Sequence, residues 1–501
     1  MNTKKSAYEI FPEGYKAAFH SEDDVSIQFK QFSADSESAV VKLTRRFLEY
    51  HDQIYIKETV MTVIRELVNN SVKANIKRLY FDINRLDINN PAEYKKGMDS
   101  FKKDIYQSGN KKYFRSLIES EFFVKIIFSS LKDCLKISIL NNSSILEAEL
   151  EKINSRIIKA YKYEDISEAF EDILDDSEGA GLGLVMITML LKNSGLDADS
   201  LIIDRINGFT RAVISIPRKH LKNESSFKIT DEIMNEIRSI PAFPDNIREI
   251  KVLCSKPDAS LKDISEKIAR DPGLSASVIK LANSAGFNSG NADSRITSIE
   301  SAVNKVSIRG VETLILACGV QEIIESRYKK FQKTWKNSEK MAFYAQKIAN
   351  IYDCKELTDF AYLSALLADI GQIILYSLKP SFLKKLIEIS GYKGLENINL
   401  LEEIGLGMSH SELGGLIFQK WEFDEIFVNS IKYHHRPHLA PEKLKPLVNI
   451  VYIADAMVEI ENIKLKFEVL DDDVLSFFNL NVKSDFEKLH LELLESYTAD
   501  I

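Results

Sequence analysis

At 501 residues, 45% of them apolar and 28% charged, the chain is too long for one ordinary core and has the composition of a soluble protein of about two to four domains. A net charge of -8 and a pI near 5.7 argue against a nucleic-acid surface as its main business, and no apolar run reads as a membrane span or as a signal core behind Met1-Asn2-Thr3-Lys4-Lys5. Cys134, Cys254, Cys318 and Cys354 lie far apart, with no spacing for a metal pair or a disulfide framework, so a reducing cytoplasm is the expected compartment.

Residues 1 to 37 are polar apart from Val25-Ser26-Ile27-Gln28-Phe29, whose alternation predicts a strand. Helices are expected over Ser38–Tyr50 and Lys57–Ala74. In the second, Val60, Ile64, Leu67, Ser71 and Ala74 form the inward stripe, and Glu66, Asn70 and Lys73 fall at i, i+4 and i+7 on another face. A carboxylate and an amide one turn apart can orient a water and give an oxygen to a magnesium ion; a solvated helix face is the alternative. Strands are then expected at Leu79–Phe81, Phe123–Phe128, Leu135–Leu140, Leu201–Ile203 and Ala212–Ile216, with a lysine-rich helical insertion over 92–119. Helices feeding a strand-rich sheet predict an α+β two-layer sandwich over residues 1–216.

The chemistry of that half centres on Glu178-Gly179-Ala180-Gly181-Leu182-Gly183-Leu184. Leu184, Val185, Ile187, Leu190 and Leu191 recur behind it at helical spacing, so the glycines stand at a helix mouth, where unpaired backbone N–H groups can receive a phosphate. A tight turn would need the same glycines. The helix with Arg65-Glu66-Leu67-Val68-Asn69-Asn70, the strand ending Ile139-Leu140-Asn141-Asn142 and this glycine loop resemble, in this order, the asparagine box and two glycine boxes of the histidine-kinase-like (GHKL) ATPase fold. The resemblance implies bound ATP and magnesium. Asn70 would hold the magnesium, Glu66 would be the general base, and Lys73, Asn141, Gly179, Gly181, Leu182 and Gly183 would line the nucleotide. A lid would span 145–178. The stretch Asn141-Asn142-Ser143-Ser144-Ile145 departs from the family's Asp-x-Gly-x-Gly, leaving an amide oxygen where a carboxylate would accept the adenine amino group. A sensor kinase's phospho-accepting histidine is also missing: neither His20 nor His51 sits in a long helical repeat.

Residues 217–229, with the polar run Pro217 to Ser226, are the expected linker. Helical periodicity then takes over through Leu261–Ile268, a helix opened by Asp271-Pro272, and Val303–Leu316, Glu339–Tyr352, Asp359–Leu378, Ser411–Trp421 and Asp424–His434. An all-α, HD-like domain is predicted over 230–440, with a helical extension over 441–501 packed on it. Ile240-Pro241-Ala242-Phe243-Pro244, Ala365-Leu366-Leu367-Ala368-Asp369-Ile370-Gly371, His410-Ser411-Glu412-Leu413-Gly414-Gly415 and Ile431-Lys432-Tyr433-His434-His435-Arg436-Pro437 resemble the HDOD domains, relatives of the HD phosphohydrolases. An active HD centre uses a consecutive His-Asp pair to hold two metal ions. Here Ala368 stands in the histidine's place, leaving Asp369, His410, His434 and His435, and Asn337 lies where a further histidine is expected. The resemblance therefore implies a non-catalytic regulatory module with no transition metal.

Together these readings predict a bacterial cytoplasmic signal-transduction regulator. An ATP-binding module would be joined to an HDOD module that engages a signalling protein, with no nucleic acid and no membrane; both resemblances admit a homodimer. Three other readings stay open: a serine/threonine kinase of anti-sigma type, a metal-dependent phosphohydrolase or phosphodiesterase, and a scaffold without nucleotide.

Overall fold

The computed structural model of the chain describes residues 8–11, 24–108, 116–163, 182–218, 231–283, 296–305, 308–328, 332–378, 380, 399, 402–403, 406–462 and 465–499. It divides into two units, Met1–Lys228 and Ile229–Ile501.

In the first unit, strands β1 (Tyr8–Phe11), β2 (Val25–Phe29), β3 (Val124–Ser130), β4 (Cys134–Asn141), β5 (Leu201–Ile206) and β6 (Phe209–Pro217) form one antiparallel sheet in the order β1-β2-β3-β4-β6-β5. Strand alternation sends Val124, Ile126 and Phe128 of β3 and Leu135, Ile137 and Ile139 of β4 to a buried face, while Lys125, Ile127, Lys136 and Ser138 stay half-buried on the other. Helices α1 (Ala34–Tyr50) and α2 (Lys57–Ile83) join that buried face in one core through Val40, Leu43, Phe47, Val60, Ile64 and Leu67. Each such side chain contributes about 1.5–3 kcal/mol when fully buried. Helices α3 (Pro91–Ser108), α4 (Glu147–Ala160) and α5 (Leu182–Asn193) complete the unit among the described residues.

One expected strand is corrected. Leu79-Tyr80-Phe81 continue α2, because no glycine or proline stops the helix after Ala74 and the two rings have a helical partner. Tyr80 packs edge-on against Phe101 and Phe81 lies by Tyr94, all in reach of α3, whose Gly97 leaves room for the Phe81 ring. Helix–helix packing here overrides the strand preference of aromatic residues. Strand β1 was not visible in the sequence pattern: it is a four-residue edge strand known only through its pairing with β2. The insertion begins as the helix α3, and α4 occupies the start of the expected lid; residues 109–115 and 164–178 lie outside the described ones.

Every regular element described in the second unit is helical: α6 (Asp231–Ser239), α7 (Asp245–Cys254), α8 (Leu261–Ala269), α9 (Pro272–Ala282), α10 (Ile299–Lys305), α11 (Ile308–Arg327), α12 (Gln332–Ile351), α13 (Thr358–Leu367), α14 (Ile370–Leu378), α15 (His410–Lys420), α16 (Glu425–Tyr433), α17 (Lys445–Glu461), α18 (Asp472–Phe477) and α19 (Lys483–Ala499). Asp271 caps α9 by accepting from the Leu274 N–H at 3.0 Å, with Pro272 in the first turn. The expected helix Asp359–Leu378 is two helices, broken by a turn at Ala368-Asp369. This region also corrects the reading of membrane spans. Lys355–Leu378 holds an 18-residue window apolar enough to cross a bilayer, with mean hydropathy 1.5, but 72% of that window is buried inside the unit, where it serves as core.

Candidate functional site

Each unit gathers a set of the residues singled out in the sequence. In the first, Glu66 is buried on α2 and its Oε1 accepts a hydrogen bond from Asn70 Nδ2 at 3.1 Å. A Cβ on Gly183 would overlap that same Glu66 oxygen, so glycine is what allows the start of α5 to seat on the carboxylate. Leu182 opens α5, and Lys73 is exposed on α2. Gly179 and Gly181 lie outside the described residues.

Asn141 ends β4 opposite Thr210 of β6 and is buried in a polar network absent from the sequence reading. The Phe123 carbonyl can only accept, and Asn75 Nδ2 donates to it at 3.1 Å, which fixes the orientation of the Asn75 amide. Asn75 Oδ1 then accepts from Ser143 Oγ at 2.8 Å and from Asn141 Nδ2 at 3.3 Å. Asn141 Nδ2 also reaches Ser143 Oγ at 2.6 Å, and Thr210 Oγ1 donates to the Ser143 carbonyl at 2.6 Å. With its nitrogen committed to this network, the atom Asn141 can offer a ligand is its amide oxygen. Alongside is a cavity of about 660 Å³ lined by Lys77, Arg78, Tyr94, Ser143, Lys152 and Thr210 among others. Glu149 binds Lys77, Arg78 Nη2 at 3.1 Å and the Tyr94 hydroxyl at 3.0 Å on its wall. Burial pushes the Glu149 carboxyl up, but the adjacent Lys77 and Arg78 outweigh burial and hold it below the ordinary range. The arrangement is a basic, partly apolar pocket beside a helix start, suited to an anionic ligand with a flat apolar part.

In the second unit, a close helix crossing brings distant residues together. A Cβ on Gly371 would overlap the His410 carbonyl oxygen and come within 2.9 Å of the Gly414 nitrogen, so only glycine lets α14 lie against α15 there. That crossing places Asp369, in the turn before α14, next to His410 at the start of α15, and α16 ends by delivering His434 and His435. Asp369, His410, His434 and His435 each offer one donor atom, and these atoms lie within 4.8 Å of one another.

The histidines' outer nitrogens are all engaged. His410 Nδ1 meets Glu402 Oε2 at 2.7 Å, His434 Nδ1 meets the Ile431 carbonyl at 2.6 Å, and His435 Nδ1 meets Asp455 Oδ2 at 3.3 Å. On the inner side, His410 Nε2 is 3.0 Å from His435 Nε2 and 3.7 Å from Asp369 Oδ1; His434 Nε2 is 3.9 Å from the same Asp369 oxygen. Burial would lower His410, but Glu402 and Asp369 outweigh it and raise its pKa, whereas burial and neighbouring His410 push His434 down to about 4. Glu402 and Asp455 escaped the sequence reading because neither falls in a matched motif; only the packing of 402–403 and α17 around the histidines reveals them.

Within this helical unit, residues 240–437 match the family model of the HDOD domain. Over 468 residues, 93% of this chain and 90% of the relative, the chain is 29% identical to an uncharacterized protein of Treponema pallidum. Among solved structures, an HDOD domain protein of unknown function from Geobacter sulfurreducens is 21% identical, over 54% of this chain and 93% of that one, with a TM-score of 0.44. A candidate phosphohydrolase from Shewanella amazonensis is 23% identical, over 54% and 96%, with a TM-score of 0.42.

Proposed function

We propose that the chain is a cytoplasmic signal-transduction regulator whose first unit, of the histidine-kinase-like ATPase type, binds Mg-ATP, and whose HDOD domain engages a signalling protein. The observation that carries the nucleotide reading is the seating of Gly183 on Glu66, with Asn70 hydrogen-bonded to the same carboxylate. Residues more than a hundred positions apart, chosen for one chemistry, meet on α2, the helix whose following turns line the cavity with Ala74, Lys77 and Arg78, and Ser143 and Thr210 of Asn141's network line it too. In this reading Asn70 would hold the magnesium. The start of α5 would face the phosphates, and the Asn141 amide oxygen would accept from the base. Binding there would bias α4 and the segment that follows it, a local event able to change what the HDOD domain presents to its partner.

Calorimetric titration of Mg-ATP into the full chain tests it. The expected result is saturable binding that weakens about 10–100-fold in Asn70→Ala, since one charge-assisted contact is worth about 1.5–3 kcal/mol. Asn70 is exposed, so the variant should keep its fold. Absence of binding by the intact chain at millimolar Mg-ATP would leave the HDOD domain attached to a scaffold without nucleotide.

A further inference from the structure

A binuclear HD centre does not fit this unit, because fully buried Ala368 offers a methyl group where a metal-binding imidazole would be needed. What remains has a geometry of its own. We propose that His410, His434, His435 and Asp369 hold a single divalent transition-metal ion, zinc before others, in a closed four-ligand site that ties the Asp369 turn, α15 and α16 together. The inference is independent of the nucleotide reading.

The Ile431 carbonyl can only accept, so His434 carries its proton on Nδ1 and directs the lone pair of Nε2 inward. In the neutral forms that a metal ion requires, His410 and His435 take the same tautomer, with Nδ1 directed at the Glu402 and Asp455 carboxylates. Three imidazole lone pairs therefore face one another beside a carboxylate oxygen. Two of them, on His410 and His435, are only 3.0 Å apart, and His434 Nε2 is buried with no hydrogen-bond partner. A proton shared between His410 and His435 would relieve that one contact but leave His434 Nε2 unsatisfied, at a cost of about 1–3 kcal/mol. A cation satisfies all four donors at once.

Size and charge agree. A tetrahedral ion with ligands at 2.0–2.1 Å sets its donors about 3.3–3.4 Å apart. The separations of 3.0, 3.7 and 3.9 Å straddle that value. Carboxylate or carbonyl partners on the outer nitrogens are the arrangement that orients metal-bound histidines and raises their basicity. Three imidazoles with one carboxylate favour zinc over magnesium or calcium. Because four protein donors close the coordination shell and His410 and His434 are fully buried, the ion would act as a staple of the regulatory domain, with no position left for a hydrolytic water.

The test uses the untagged full chain, stripped with a chelator and then titrated with Zn²⁺ or Co²⁺. One ion per chain should survive dialysis. The cobalt form should show the intense visible absorption of a tetrahedral site, and removal of the ion should lower the thermal midpoint. Asp369→Asn and His435→Gln, both at the less buried rim of the cluster, should each weaken binding by at least about 10-fold, and Glu402→Gln by about 10–100-fold. His51→Gln, in the first unit, should bind as the parent does. The proposal is overturned if the intact chain retains no stoichiometric metal, if it retains two ions, or if Asp369→Asn and His435→Gln bind with unchanged affinity.

Discussion

Gly183 in the first unit and Gly371 in the second both stand where a Cβ has no room, but they face different neighbours. Gly183 meets the Glu66 carboxylate, the end of a side chain that can rotate away. Gly371 meets the backbone of His410 and Gly414, which can move only if a whole helix moves. The first contact lies at the start of α5; the second lies inside a helix crossing beside fully buried His410. An adjustable contact suits a ligand that comes and goes, and a fixed one suits an ion held for the life of the fold.

The largest effect expected from this contrast is at Gly371. Gly371→Ala should destabilise the second unit by about 3 kcal/mol, because the added methyl has to displace α15 and a close-packed interior resists that. It should also abolish the metal binding proposed for the cluster. Trp335 and Trp421, the chain's two tryptophans, are both buried in the second unit, so urea denaturation followed by tryptophan fluorescence reads that unit alone. A loss of less than about 1 kcal/mol would mean that the crossing is as yielding as the Gly183 contact.

Gly183→Ala should cost less, about 1–2 kcal/mol, since Glu66 can turn aside. A double-mutant cycle sharpens the comparison. Gly183→Ala combined with Glu66→Ala should destabilise by about 1 kcal/mol less than the sum of the two single changes, because the clash vanishes with the carboxylate. Hydrogen exchange along α5 supplies the readout. Strict additivity would show that the two residues do not press on each other.

The same contrast explains what the sequence disclosed. Periodicity located β2 to β6 and most helices because burial there follows the backbone repeat, as Val124, Ile126 and Phe128 show. It failed at Leu79-Tyr80-Phe81, where the deciding partner, α3, joins from an insertion and the strand preference of the rings misleads. The four metal-binding candidates lie in motifs and could be named, yet their convergence depends on a glycine crossing and on carboxylates at 402 and 455 that no spacing rule connects to them. In the first unit Glu66 and Asn70 were legible through the helical repeat, but Asn75, Ser143 and Thr210 share a network across two strands and a helix, and its pairing appears only once β4 and β6 are in register.

Glu461 offers the smallest effect, and one that separates pairing from metal binding in the second unit. Its carboxylate accepts from Lys340 Nζ at 2.5 Å and the Tyr344 hydroxyl at 2.7 Å, and meets His490 Nε2 of α19 at 2.9 Å. Burial would raise its pKa, but these three partners outweigh burial and bring it from the ordinary 4.5 down to about 2. A carboxyl depressed in the folded state lends its full stability above the unfolded value, so that contribution is present above about pH 4.5 and drains away as the pH falls toward 2. The group is partly exposed, and solvent screening limits the effect to about 1 kcal/mol. Urea midpoints at pH 6 and pH 3 should therefore differ by more in the parent chain than in Glu461→Gln, with α19 the first helix to lose hydrogen-exchange protection. Because Glu461 belongs to the docking of α19 and not to the histidine cluster, the variant should bind zinc as the parent does; a parallel loss of the ion would show that the extension and the cluster form one cooperative block.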